Sequence, residues 1–139
     1  MRRLLVDLNV VLDVLLDRKP HAHFASAVWA AIESGRGNGL LPAHAFTTIH
    51  YLSSRARGPR FARQTIEDLL RVFEVAPVDG AVIRSALGLS WPDFEDAVCA
   101  AAAAASGCEA IVSRDPAGFR HSPVPAIDPA TAVAWLSVE

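Results

Sequence analysis

Cysteine is scarce in this 139-residue chain, which holds only Cys99 and Cys108. Two thiols so placed have neither the paired spacing of a zinc knuckle nor the number a disulfide framework needs, so both are expected to be buried or idle. No uninterrupted apolar stretch is long enough to span a bilayer. Arg2 and Arg3 precede an apolar run as in a secretory leader, but Asp7, Asp13 and Asp17 interrupt that run and no small-residue cleavage site follows. The expectation is a cytoplasmic protein without membrane contact. Interdomain linkers and fixed-period repeats are also lacking, and a composition 52% apolar and 20% charged suits one domain over residues 1–139 with a sizeable core. Finally, no acid occurs between Glu33 and Glu67, where Arg36, Arg55, Arg57, Arg60 and Arg63 all fall. On a chain of net charge −2 this is a local basic stripe, able to attract phosphate backbones but equally suited to a solvated helical surface.

What is present begins with "LLVDLNVVLDVLLDR". Leu4, Leu5 and Val6 form the short continuous apolar run of a strand buried on both faces of a parallel sheet. Leu8, Val11, Leu12, Leu15 and Leu16 then recur at helical spacing, with Asn9, Asp13 and Asp17 on another face. Asp7 thus stands where a buried strand hands over to a helix. Further on, a helix containing Phe24, Val28 and Ile32 stops at Gly35 and Gly37, "GLLPA" is a brief strand, and helices follow over 43–56 and 60–73, separated by Gly58 and Pro59. After the extended "VFEVAPVD", Asp79 caps a helix through Leu87. Another helix runs from about Asp93 to Ser106, "EAIVS" and "VPAI" are strands, and Asp128 and Pro129 open a terminal helix. Helices alternating with short apolar strands predict an α/β fold, a mainly parallel sheet covered on both faces. The alanines from Ala100 to Ala105 are read as packing, since small side chains let a helix approach a sheet closely.

Acids lie at three junctions: Asp7, the "DFED" cluster of Asp93, Glu95 and Asp96, and Asp115 after "AIVS". In a parallel sheet with right-handed crossovers the strand ends open on one edge, where Asp7 and Asp115 can meet. Asp93 and Asp96 share a helix face. Carboxylates gathered there repel one another unless a cation compensates them, and Mg²⁺ and Mn²⁺ favour such oxygen donors. Each acid also has a plain structural role open to it: Asp93 and Asp96 suit a capped first helical turn, and Asp115 before Pro116 suits a turn. Asp7 is different, because a carboxylate ending a buried strand needs a partner to offset its desolvation.

With "VDLN" closing the first strand, "PDFEDA" opening a helix and "IVSRD" followed by "PAGF", the chain resembles the PIN-domain family, which includes VapC-type toxins of toxin–antitoxin pairs; the likeness is nearest to a subgroup with DFEDA and RD motifs. The resemblance implies a Rossmann-like three-layer α/β/α sandwich and Mg²⁺- or Mn²⁺-dependent hydrolysis of RNA phosphodiester bonds. It assigns catalysis and metal binding to Asp7, Asp96 and Asp115, with Asp93 as a neighbouring metal candidate and Asn9 and Ser113 in support. It also makes an antitoxin partner and a homodimer reasonable. Most relatives carry a glutamate on the third helix where this chain has Thr48, give or take one position. A hydroxyl brings no second negative charge, so weaker metal affinity is expected. Arg55, Arg57, Arg60 and Arg63 would hold the RNA backbone. His44 and His50 are expected on the helix surface or packed, and Tyr51 in the core.

Two other readings compete. A phosphatase with a nucleophilic aspartate after its first strand usually has a second aspartate two residues later, where this chain has Asn9. A catalytically weak PIN-like module that binds RNA or a partner would accommodate Thr48.

Overall fold

A computed structural model describes residues 1–137. Its elements are β1 (Arg3–Val6), α1 (Leu8–Leu15), α2 (Ala22–Glu33), β2 (Asn38–Pro42), α3 (Ala43–Arg57), α4 (Pro59–Val72), β3 (Glu74–Ala76), α5 (Gly80–Leu89), α6 (Phe94–Ala105), β4 (Ala110–Val112), a 3-10 turn (Pro116–Phe119), β5 (Ala126–Ile127) and α7 (Pro129–Ser137). The expected helices and strands are therefore present within a few residues. Asp79 and Asp93 cap as their side chains allow, accepting hydrogen bonds from the backbone amides of Val82 and Asp96.

All strand pairs are parallel, in the order β3-β2-β1-β4-β5. The chain steps outward through β2 and β3, then crosses back to β4 beside β1, so the strand order reverses between β1 and β4. That switch point leaves a crevice at the carboxyl ends of the two strands. Pleating sends alternate residues to opposite faces. Leu4, Val6, Leu41, Ala110 and Val112 pack with α1 to α4 and α7, while Leu5, Leu40 and Ile111 pack with α5 and α6. The result is the expected three-layer α/β/α sandwich. In α6, Ala97 to Ala103 are all buried, and the helix lies against β1, β2 and β4.

Close packing also fixes Gly39 in β2. A Cβ there would stand 2.7 Å from Ile32 Cδ1 and 2.9 Å from Phe73 Cδ1, both on buried side chains. Gly39→Ala is expected to cost about 1 to 3 kcal/mol through overpacking, read as a lower denaturant midpoint with an unchanged slope. No helix among the described residues is long and apolar enough to cross a membrane.

Candidate active site

Asp7 is the first residue beyond β1. Its amide still follows the sheet, donating to the Val112 carbonyl at 2.9 Å, while its own carbonyl accepts from Val10 in the first turn of α1. The side chain is not spent on capping the helix, and the residue is only 5% exposed. One strand over, β4 leads into Ser113, whose Oγ accepts from the Asp115 amide at 3.1 Å and fixes the turn carrying that carboxylate. The 3-10 turn then brings Gly118 beside α6. A Cβ at Gly118 would lie 3.6 Å from Asp96 Oδ2 and 3.8 Å from Asp115 Oδ2, so those oxygens are less than about 8 Å apart. The 3-10 turn thus brings Asp115 near Asp96, and the β1/β4 pairing, with Val6 opposite Val112, puts Asp7 at the same edge of the sheet, where its charge acts on Asp96.

The electrostatics show how crowded this edge is. Burial raises the Asp7 carboxyl to about 6, with Glu95 adding repulsion; hydrogen bonds from the Leu8 amide and Asn9 side chain, and the charge of Arg114, act the other way. Asp96 is pushed up to about 7 by burial first, then by Asp93, Asp7 and Glu95. Cys99, below them on α6, is a free buried thiol raised well above its ordinary value, mainly by burial, and so stays protonated. A dication is the natural compensation for acids held this way, and the donors are hard oxygens suited to Mg²⁺ or Mn²⁺. Among the described residues no three His, Cys, Asp or Glu side chains already enclose an ion as placed. The fit is therefore one of donor type and uncompensated charge, with Asp115 and Glu95 exposed at its rim.

Other expected residues fall in several places. Asp93 spends Oδ1 on the Asp96 amide, the capping role open to it from the sequence. Thr48 lies four residues after His44, on the same face of α3 near that helix's start. The arginine stripe sits at the α3–α4 turn, with Arg55 about 17 Å along the helix from His44. There Arg55 stacks on Tyr51 and bonds its hydroxyl, Arg57 lies over Phe61, and Arg63 pairs with Glu67. Tyr51 is 58% exposed, not in the core as expected, because the helical hairpin's outer face has no layer above it.

Three groups escaped the sequence reading. Glu95, named from the sequence only as part of the DFED cluster and given no role, acts on Asp7, Asp96 and His44 together. His44 is half-buried, its pKa lowered by desolvation, and neither ring nitrogen has a hydrogen-bond partner. Asp13 was placed on a polar helix face with Asn9 and Asp17, yet it is 1% exposed, because Arg114 and Arg18 reach its Oδ1 at 3.3 and 3.7 Å. Nothing near Asp13 in the sequence could have indicated Arg114, which arrives from β4.

Comparison with known proteins agrees with this architecture. The model of the PIN domain matches residues 3–117. No curated protein matches the chain. Among solved structures, VapBC-1 from nontypeable Haemophilus influenzae superposes with a TM-score of 0.71 at 10% identity, covering 92% of this chain and 98% of that one. FitAcB from Neisseria gonorrhoeae gives 0.65 at 20% identity, covering 91% and 98%. Mycobacterium tuberculosis VapC20, a toxin that cleaves the sarcin-ricin loop, gives 0.63 at 19% identity over 78% and 86%. At these identities the superpositions speak for the fold.

Proposed function

The chain belongs to the PIN domain family, and on that premise we propose that it is a divalent-metal-dependent endoribonuclease, the toxin of a toxin–antitoxin pair. The observation that carries this reading is the geometry at the β1/β4 switch point: Asp7 is buried there with its side chain uncapped, and Asp96 and Asp115 face each other across Gly118. Such a site favours a cation and then a phosphate. Asp7, Asp96 and Asp115 would hold Mg²⁺ or Mn²⁺, with Asp93 at the margin. The ion would supply Lewis acidity toward water and the phosphate oxygens. The chain's own part is to orient. Asn9 and the Leu8 amide aim the Asp7 carboxylate, Ser113 fixes the Asp115 turn, and the sheet fixes the spacing between the two strand ends. An antitoxin partner and a homodimer are part of the same proposal; the VapBC and FitAcB structures among the neighbours support the antitoxin, and the homodimer rests on the family resemblance.

The test is cleavage of structured RNA in Mn²⁺ or Mg²⁺ that chelator abolishes. Absence of cleavage beside retained RNA or partner binding would favour the second reading, a catalytically weak module, which Thr48 motivates. That position yields its own prediction. Thr48→Glu adds an acid on the face of α3 that carries His44, on which Glu95 acts. It is expected to tighten Mn²⁺ binding about ten-fold in a calorimetric titration, from the roughly millimolar range expected of the lower ligand charge. An unchanged affinity would place Thr48 outside the ligand set.

A further inference from the structure

Two grooves of similar size flank the carboxylates on opposite faces of the sheet. One, of about 310 Å³, lies on the side of α1, α2 and α7 and is lined by Pro20, His21, Phe24, Arg114 and Asp128 among others. The second, of about 290 Å³, lies on the α6 side between Trp91, Asp96, Gly118, Arg120 and His121. Each brings one arginine and one imidazole to the carboxyl edge, and each is near the lower size limit of ligand pockets.

The first groove is preorganised. Asp13 is buried, and its Oδ1 lies 3.3 Å from Arg114 Nη1, an ion pair by distance that lacks hydrogen-bond geometry. Arg114 precedes Asp115 in the chain, and its charge is felt at Asp7. A long side chain loses rotamer entropy when it grips a phosphate, and an anchored one has already lost it. Next to it Phe24 is 46% exposed, its ring meeting His23 edge-on, which leaves an aromatic face to solvent. In the second groove Arg120 makes no ion pair among the described residues. Of the acids lining the grooves, Asp128 and Asp93 accept capping amides from Thr131 and Asp96, while Asp96 in the second groove keeps its own carboxyl uncompensated.

We infer that an RNA strand crosses the carboxyl edge of the sheet from one helical layer to the other, one flanking nucleotide seated against Arg114 and Phe24 and another against Arg120 and His121. Asp13 is a positioning residue for Arg114. This path rests on the ribonuclease reading for its scissile phosphate, and it differs from the α3–α4 arginine stripe, which lies a helix length away. The arginines take the phosphates on either side of the cleavage point, and exposed Phe24 stacks a base.

The experiment measures binding of a labelled, unstructured oligouridine to the full chain in EDTA, over a salt series, with cleavage in Mn²⁺ followed separately. Arg114→Ala and Arg120→Ala are each expected to weaken binding about five- to ten-fold and to reduce the salt slope by about 0.7, one single-strand phosphate contact apiece. Phe24→Ala should weaken binding about ten-fold with the slope unchanged, since stacking releases no counterions. Asp13→Asn should reproduce most of the Arg114→Ala loss and add little to it in the double variant. Should Asp13→Asn fail to fold, Arg114→Ala still decides. Arg84→Ala on α5 is the control. Unchanged affinity and slope in both arginine variants would overturn the path, as would their loss of binding to a partner protein with RNA binding intact. If the wild type binds as described but never cleaves in Mn²⁺, the ribonuclease reading fails and the grooves stand.

Discussion

Asp7→Asn is expected to abolish metal-dependent RNA cleavage, by roughly a thousand-fold or more, while leaving the metal-free protein better folded than the wild type at neutral pH. The loss follows because a cation contributes several kcal/mol of charge stabilisation and each 1.36 kcal/mol is about ten-fold in rate. Gain in stability follows from the direction in which Asp7 is displaced. Its carboxyl lies at about 6 in the folded chain against 3.8 as a free group. The native state therefore holds a proton that the unfolded chain releases, and ionising Asp7 above pH 6 costs the fold about 3 kcal/mol. Asparagine keeps an oxygen to accept from the Leu8 amide and Asn9 but carries no charge. Thermal unfolding in EDTA at pH 7.5 should show a higher midpoint for the variant, with little difference near pH 4. A lower midpoint at pH 7.5 would make Asp7 a structural acceptor and remove the main support for a cation site.

Metal-free wild type should accordingly lose stability as pH rises from about 4 to about 7, and saturating Mn²⁺ should restore it. Both elevated acids act in that direction, Asp7 raised to about 6 and Asp96 to about 7. Asp96 contributes less than its displacement alone would suggest, because that side chain is partly exposed and solvent screens it. His44 works against them. Its folded pKa is lowered from 6.5, so the unfolded chain takes the proton first and stability on its account rises with pH toward 6.5. Asp128, also lowered, matters only below about 4, where its cap is lost. The difference between wild type and Asp7→Asn over the pH series removes His44, which is common to both, and leaves the Asp7 carboxylate together with its repulsion of Asp96. An ion at a hundred times its dissociation constant would add about 2.7 kcal/mol at pH 7.5. A pH-independent difference between the two proteins, with no thermal shift in Mn²⁺, would refute the coupling of folding to a cation at this edge.

Much of this was legible because it depends on neighbours in the chain. The apolar run at Leu4 to Val6, the helical spacing after Leu8, the caps at Asp79, Asp93 and Asp128, and the stop at Gly35 and Gly37 are local, and they placed the elements within a few residues. The same local pattern put Asp7 and Asp115 at strand ends. Local periodicity misled where a long-range partner changes a residue's surroundings. Asp13 stood with Asn9 and Asp17 off the apolar helix face, yet it is buried beside Arg114, and Tyr51 looked like core although no layer covers it.

By itself, then, the sequence determined the alternation of helix and strand, the two-sided burial of the strands and the chemical kind of the site, because hydrophobic spacing and junction acids are properties of adjacent residues. Only the tertiary structure decided the strand order 3-2-1-4-5, which reverses between β1 and β4 and makes direct neighbours of the two strands whose ends were expected to share an edge. It also decided which charges meet there. Coulomb energy and desolvation depend on distance through space and on what covers a group, so the roles of Glu95, His44 and the Asp13–Arg114 pair existed only once the layers had closed.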